Sequence, residues 1–283
     1  MAKLRTFLTG LLLSALAASA LTGTASAAEA PHSGWNNWSC RPSAAHPQPV
    51  VLVHGLGAND LDDFATLAPT LALSGYCVFS ETYGQTLLGG LAGGLAPMAD
   101  SAAELAGFVE RVRLTTGAAK VDIVGHSEGT TVPAYYLKYL GGATKVDDVI
   151  GFGSNYRGTT LDGLATLADA LHLQGLLTGV GCGACTDYLP GSAFLNKLDD
   201  GPVAVPGPTY TSIMTRYDKI VTPYTSGVLS GPNVTNIVLQ DRCPLDSAGH
   251  LGLAVDPNVA DLVLNRLDPA NPFRCHLFTT LGI

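Results

Sequence analysis

The chain has 283 residues, 47% of them hydrophobic and only 13% charged, with 23 acidic against 15 basic residues and a formal net charge of −8. This acidic balance, with no lysine/arginine cluster, argues against nucleic-acid partners and against an electrostatic grip on anionic membranes. The high apolar share implies that some apolar surface stays exposed, as at a site that receives greasy material.

Residues 1–27 join a basic start (Lys3, Arg5) to the apolar run FLTGLLLSALAASALTG. Small-residue exits follow at Ala25-Ser26-Ala27 and Ala28-Glu29-Ala30, the pattern of a secretory signal peptide. The run is too short and too interrupted by Thr, Ser and Gly for a membrane anchor, and no later stretch could span a bilayer. A secreted, extracellular protein is therefore expected. Residues 28–283 suffice for one well-buried domain.

A Pro/Ser-rich lead-in (31–49) gives way to PVVLVHG (49–55), read as a buried strand ending in a turn. DLDDFATLAPTLALSG (60–75) reads as one helix, acidic in its first turn and stopped at Gly75. YCVFSETYG (76–84) is the next strand, followed by a Gly/Leu-rich loop (85–97). Leu105, Phe108, Val109 and Val112 recur at helical spacing, so residues 98–116 form a helix. A strand through VDIVGH (121–126), a helix through TTVPAYYLKYL (130–140) and a strand at VDDVIGFGS (146–154) follow.

Alternation lapses over about 155–208, the place for a small cap insertion. It resumes with TYTSIMTRYD (209–218), NVTNIVLQD (233–241) and a last helix, DPNVADLVLNRLD (256–268). Continuous apolar strands alternating with helices predict an α/β fold, a mostly parallel central sheet with helices on both faces.

Six cysteines in an exported chain favour disulfides over metal sites or free thiols. Neighbours along the chain suggest Cys40–Cys77, Cys182–Cys185 and Cys243–Cys275, but the sequence does not choose among the many pairings. The alternative for Cys182-Gly-Ala-Cys185, a redox motif, lacks the surrounding βαβ pattern.

Gly125-His126-Ser127-Glu128-Gly129 matches the G-x-S-x-G nucleophile elbow, with an apolar strand before it and a helix after. A serine nucleophile needs a base, and the base needs an acid, in the chain order Ser, Asp or Glu, His. Of the histidines after Ser127, His172 lies in the cap region and His276 sits beside Cys275 after the last helix. His250 falls between the last strand and the last helix, where it can reach back across the sheet edge, and is the expected base. Asp218 ends a strand at that same edge and is the expected acid. Asp241 is the runner-up, and Asp246 reads as a turn residue.

The VHGLG segment (53–57) ends the first strand, so the amides of Leu56 and Glu128 are the expected oxyanion donors. Gly125, Gly129 and Gly55 let backbones pass closely, and His54 and His126 are read as packed supports for these loops.

With PVVLVHGLG, VDIVGHSEGT, TRYDKIVTPYTSG and DSAGHLGL in order, the chain resembles secreted actinobacterial lipases and esterases of the α/β-hydrolase superfamily, in the group called lipase class 2. The resemblance spans nearly all of residues 28–283. It implies Ser127 as nucleophile, Asp218 as acid, His250 as base and Leu56 and Glu128 as oxyanion donors. It also fits the three suggested disulfides. A lipid or carboxylic ester substrate met at an oil–water interface is implied, with no metal or organic cofactor and a monomeric chain.

Such lipases commonly carry glutamine after the nucleophile; here the residue is Glu128. The loop 86–97 and the region 155–200 are the expected frame of an acyl pocket. The same elbow would serve a cutinase-like polyesterase, a thioesterase or an acyltransferase. The reading from another class is a secreted lipid-binding protein that has lost its chemistry.

Overall fold

The computed structural model describes residues 34–171 and 181–279. Residues 1–27 and His172 lie outside them. Among the described residues no helix is long and apolar enough to cross a membrane.

Seven strands form one sheet: β1 (Gly34–Trp35), β2 (Val50–Val53), β3 (Cys77–Ser80), β4 (Val121–His126), β5 (Val146–Phe152), β6 (Thr209–Met214) and β7 (Val234–Val238). Their spatial order is β1-β3-β2-β4-β5-β6-β7, and every pairing is parallel. Side chains alternate between the two faces. Val51 and Val53 join the core beneath α3 (Met98–Thr116) and α4 (Glu128–Tyr139). Val50 and Leu52 join a second core beneath α1 (Asp60–Phe64), α2 (Leu67–Leu73) and the C-terminal helix (Pro257–Leu267). Covering on both faces explains why β2 and β4 are buried at every position, and why β2 reads as an unbroken apolar run.

The single helix expected over residues 60–75 is two helices, α1 and α2. Pro69 is the physical reason. In a continuous helix its ring would meet the carbonyl of Ala65 and it could donate no bond there, whereas in the first turn of α2 neither cost arises. Asn59 starts α1 with a capping box, its side chain accepting from the Leu61 and Asp62 amides. The helix expected from Thr130 begins two residues earlier, at Glu128, directly after the elbow. The lead-in contains β1, a two-residue strand beside β3.

Between β5 and β6 run α5 (Leu161–Ala170), α6 (Gly183–Asp187) and α7 (Ala193–Leu198). Tyr188, Leu195 and Leu198 from this stretch are buried in the core that also holds α3 and α4. After β7, α8 (Leu239–Arg242) precedes the loop to α9 (Pro257–Leu267). The three disulfides are Cys40–Cys77, Cys182–Cys185 and Cys243–Cys275. The first ties the lead-in to β3, and the last ties the loop after α8 to the C-terminal segment.

Candidate active site

The carboxyl ends of β2, β4 and β6 and the loop after β7 converge at one edge of the sheet, the usual place for ligands in parallel α/β folds. Ser127 stands there between β4 and α4 with φ +53° and ψ −118°, a conformation disfavoured for a non-glycine residue. The turn is held by close backbone approach. A Cβ on Gly125 would overlap the Gly129 carbonyl, and one on Gly129 would overlap the Val53 carbonyl.

Ser127 Oγ lies 2.8 Å from His250 Nε2, and His250 Nδ1 lies 2.8 Å from Asp218 Oδ2. The other Asp218 oxygen accepts from the amides of Ile220 (2.9 Å) and Val221 (2.6 Å), so the carboxylate is fixed before it meets the ring. Ser127 and His250 are both buried. The rival assignments lie elsewhere: Asp241 pairs with Arg216 at the surface, 2.7 Å away. Asp246 accepts from the Ala248 amide and from Asn258, as a turn residue does. His276 pairs with Asp261 at the surface.

Gly55 places the β2 end against the elbow; a Cβ there would sit 3.2 Å from Ser127 Cβ. Leu56 and Ser127 line one narrow, largely apolar hollow with Asn155, Thr159, Leu164, Leu167, Tyr188, Ile220 and Val221. Its walls thus come from the 155–188 stretch and from the loop after Asp218. Residues 86–97 are not among those lining this hollow; Leu87 and Leu91 stand out at the surface, while Ala92 and Leu95 are buried in the core.

The two supporting histidines differ in chemistry. His54 Nε2 accepts from the Tyr83 amide (3.2 Å), so Nδ1 carries the hydrogen donated to the Gly55 carbonyl, and the ring is neutral. Burial holds its pKa below the ordinary histidine value. His126 Nδ1 lies 2.7 Å from Asp63 Oδ1, and its Nε2 lies 3.2 Å from the carbonyl oxygen of His250. Burial works against charge on His126, but the Asp63 carboxylate outweighs it and the pKa is raised. Burial likewise pushes Asp63 up, yet His126 beside it holds the acid below the usual carboxylate range.

Asp63 Oδ2 also accepts from the Gly55 amide at 2.8 Å. Sequence reading took Asp63 only as one acidic residue of a helix start. Nothing in the sequence separates it from Asp60 and Asp62.

Glu128 is fully buried directly after the nucleophile. Its Oε1 lies 3.2 Å from Tyr83 Oη, and among the described residues Oε2 meets no hydrogen-bond partner. Burial raises its pKa well above the usual carboxyl range. Among the described residues, the carboxylates close enough to share a cation are Asp122, Asp147 and Asp148. They sit at the amino ends of β4 and β5, opposite Ser127, where Lys120 already pairs with Asp147 at 2.7 Å.

Comparison with known proteins agrees with this architecture. Aspergillus fumigatus lipase B superposes with a TM-score of 0.64 at 18% identity, over 83% of this chain and 57% of that enzyme. The chain thus spans little more than half the length of the fungal lipase. The mature Bacillus licheniformis lipase BlEst2 gives 0.57 at 20% identity, over 80% of this chain and 94% of that one. A carboxylesterase structure from Nitrososphaera gargenis gives 0.54 at 16% identity, covering 78% of this chain and 89% of that chain. These likenesses establish the α/β-hydrolase fold. The family model described as lipase (class 2) matches residues 47–260, which include the β2 end, the elbow, Asp218 and His250. The chain belongs to the class 2 lipase family.

Proposed function

We propose that the protein hydrolyses carboxylic esters of lipids through a Ser127–His250–Asp218 triad and an acyl-enzyme. The observation that carries this reading is the unbroken contact chain from Ser127 Oγ through both ring nitrogens of His250 to Asp218, at 2.8 Å and 2.8 Å. Asp218 fixes the tautomer with the hydrogen on Nδ1, which leaves Nε2 free to take the serine proton. Ser127 Oγ then attacks the ester carbonyl, and the oxyanion forms beside the amides of Leu56 and Glu128. His250 passes the proton to the departing alcohol. Water, deprotonated by the same ring, cleaves the acyl-enzyme and restores Ser127.

The hollow lined by Leu164, Leu167, Ile220 and Val221 is the proposed acyl site, with residues 155–208 acting as its cap. Leu87 and Leu91, 79% and 82% exposed on the loop that Asn59 anchors through the Leu91 carbonyl, suit contact with an oil–water interface. The signal-peptide pattern of residues 1–27 and three disulfides support export, with residues 28–283 as the catalytic domain.

The test is kcat/KM on p-nitrophenyl esters from acetate to palmitate, with Ser127→Ala as the blank. Activity reaching the long chains supports a lipase, and activity confined to the short ones makes the protein a carboxylesterase. Equal inertness of wild type and Ser127→Ala on every ester would overturn the reading in favour of a binding protein.

A further inference from the structure

Behind the triad lies a second carboxylate–imidazole pair that the proposed reaction does not use. His126, the residue before the nucleophile, is sandwiched between the rings of Phe152 and His250, each with its centroid 5.0 Å away. Its two ring nitrogens face the Asp63 carboxylate and the main-chain carbonyl of His250. A carbonyl can only accept a hydrogen bond. Asp63 accepts as well, because His126 beside it and the Gly55 amide on its second oxygen hold it below the usual carboxylate range, as an ionised carboxylate. Both nitrogens of His126 must therefore carry hydrogen, and the ring is an imidazolium.

The geometry of His54 shows the contrast: one of its nitrogens accepts from a backbone amide, so it stays neutral.

We infer that Asp63 and His126 form an ionised pair that positions His250. This rests on His250 being the base. His126 holds the His250 main chain, while Asp63 holds both His126 and the Gly55 amide, so one carboxylate sets the base, the elbow and the β2 end relative to each other. Other charged or titratable groups facing His126 are Asp218, from the loop after β6, and His250 itself. Asp63 and His126 touch no reacting atom and are positioning residues.

The test combines spectroscopy on the intact protein with kinetics. Proton–nitrogen correlation spectra of the wild type and of Ser127→Ala should show both His126 nitrogens protonated at pH 7. In Asp63→Asn the amide can donate to Nδ1, leaving a neutral Nε2–H ring that still reaches the His250 carbonyl. That variant should lose about 10–100-fold in kcat with KM little changed.

A His126 lacking one ring hydrogen at pH 7, or an Asp63→Asn variant with wild-type kcat, would overturn the inference. Wild-type protein inert on every ester yet carrying a doubly protonated His126 would remove the hydrolase reading and support the pair.

Discussion

Replacing Glu128 by glutamine should stabilise the protein at neutral pH, and the amount follows from one proton. Tyr83 has a single hydroxyl hydrogen and lies 2.8 Å from the His54 carbonyl, which can only accept. The Glu128 Oε1–Tyr83 Oη contact of 3.2 Å must then be made by a hydrogen on Glu128, so the acid is neutral in the folded state. The unfolded chain would ionise near pH 4.3, so keeping that proton at pH 7 costs up to about 4 kcal/mol.

The sign follows from a folded pKa above the unfolded one. The stability linked to this proton is complete below about pH 4.3 and falls as pH rises toward the folded value. Glutamine donates to Tyr83 without needing a proton. Wild type and Glu128→Gln should therefore be nearly equal in stability at pH 4, and the variant ahead by about 3–4 kcal/mol at pH 7. For a chain of this size that corresponds to a rise of roughly 10 °C in Tm. Urea unfolding at pH 4, 5.5 and 7 measures the difference. Because the oxyanion donor proposed at residue 128 is its backbone amide, ester hydrolysis at pH 7 should be kept or raised. A stability difference that does not change with pH, or a large loss of activity, would refute the argument and give the carboxylate an ionised, positive role.

Asp218→Asn should reduce kcat/KM on a p-nitrophenyl ester by about 10⁴-fold while leaving unfolding nearly unchanged, because the amide frees His250 to adopt the wrong tautomer. Loss of less than tenfold would move the acid's role elsewhere. Gly129→Ala places a methyl on the Val53 carbonyl, and the elbow cannot yield without shifting β2, so soluble yield should collapse or stability fall by 3 kcal/mol or more, roughly. Wild-type folding would contradict the packing described. Replacing Cys243 and Cys275 together by serine opens a loop of 32 residues' separation, costing about 3–4 kcal/mol by chain entropy. Calorimetry of the non-reduced pair checks this, and an unchanged Tm would show that the C-terminal segment is held by other contacts.

The strands and the elbow were legible because their determinants are local. Val121, Ile123 and Val124 lead into the elbow, the glycines flank Ser127 at fixed offsets, and α3 carries its apolar residues at helical spacing. The ordering of Asp218 and His250 followed once the serine was placed on a strand end. What escaped the sequence depends on distant partners or on exceptions to periodicity. Residues 60–75 keep a helical pattern across a break that Pro69 alone signals. The strand β1 has two residues and exists only through its pairing with Cys77 and Val78.

Asp60, Asp62 and Asp63 are equivalent in sequence, yet only the last turns toward His126. Glu128 was noticed as a departure from glutamine, but the burial that raises its pKa exists only in the folded chain, where Tyr83, 45 residues away, packs beside it. The hollow beside Ser127 draws walls from Asn155 to Leu167 and Tyr188, within the region expected to frame a pocket, and from Ile220 and Val221 after Asp218, which were not expected there.

The measurement that tests the central claim most directly is covalent labelling with a fluorophosphonate, read by intact mass and by peptide mapping. The account predicts one adduct per chain, on Ser127, abolished in Ser127→Ala and greatly slowed in a His250→Ala variant. No adduct, or an adduct on another residue that persists in Ser127→Ala, would contradict it.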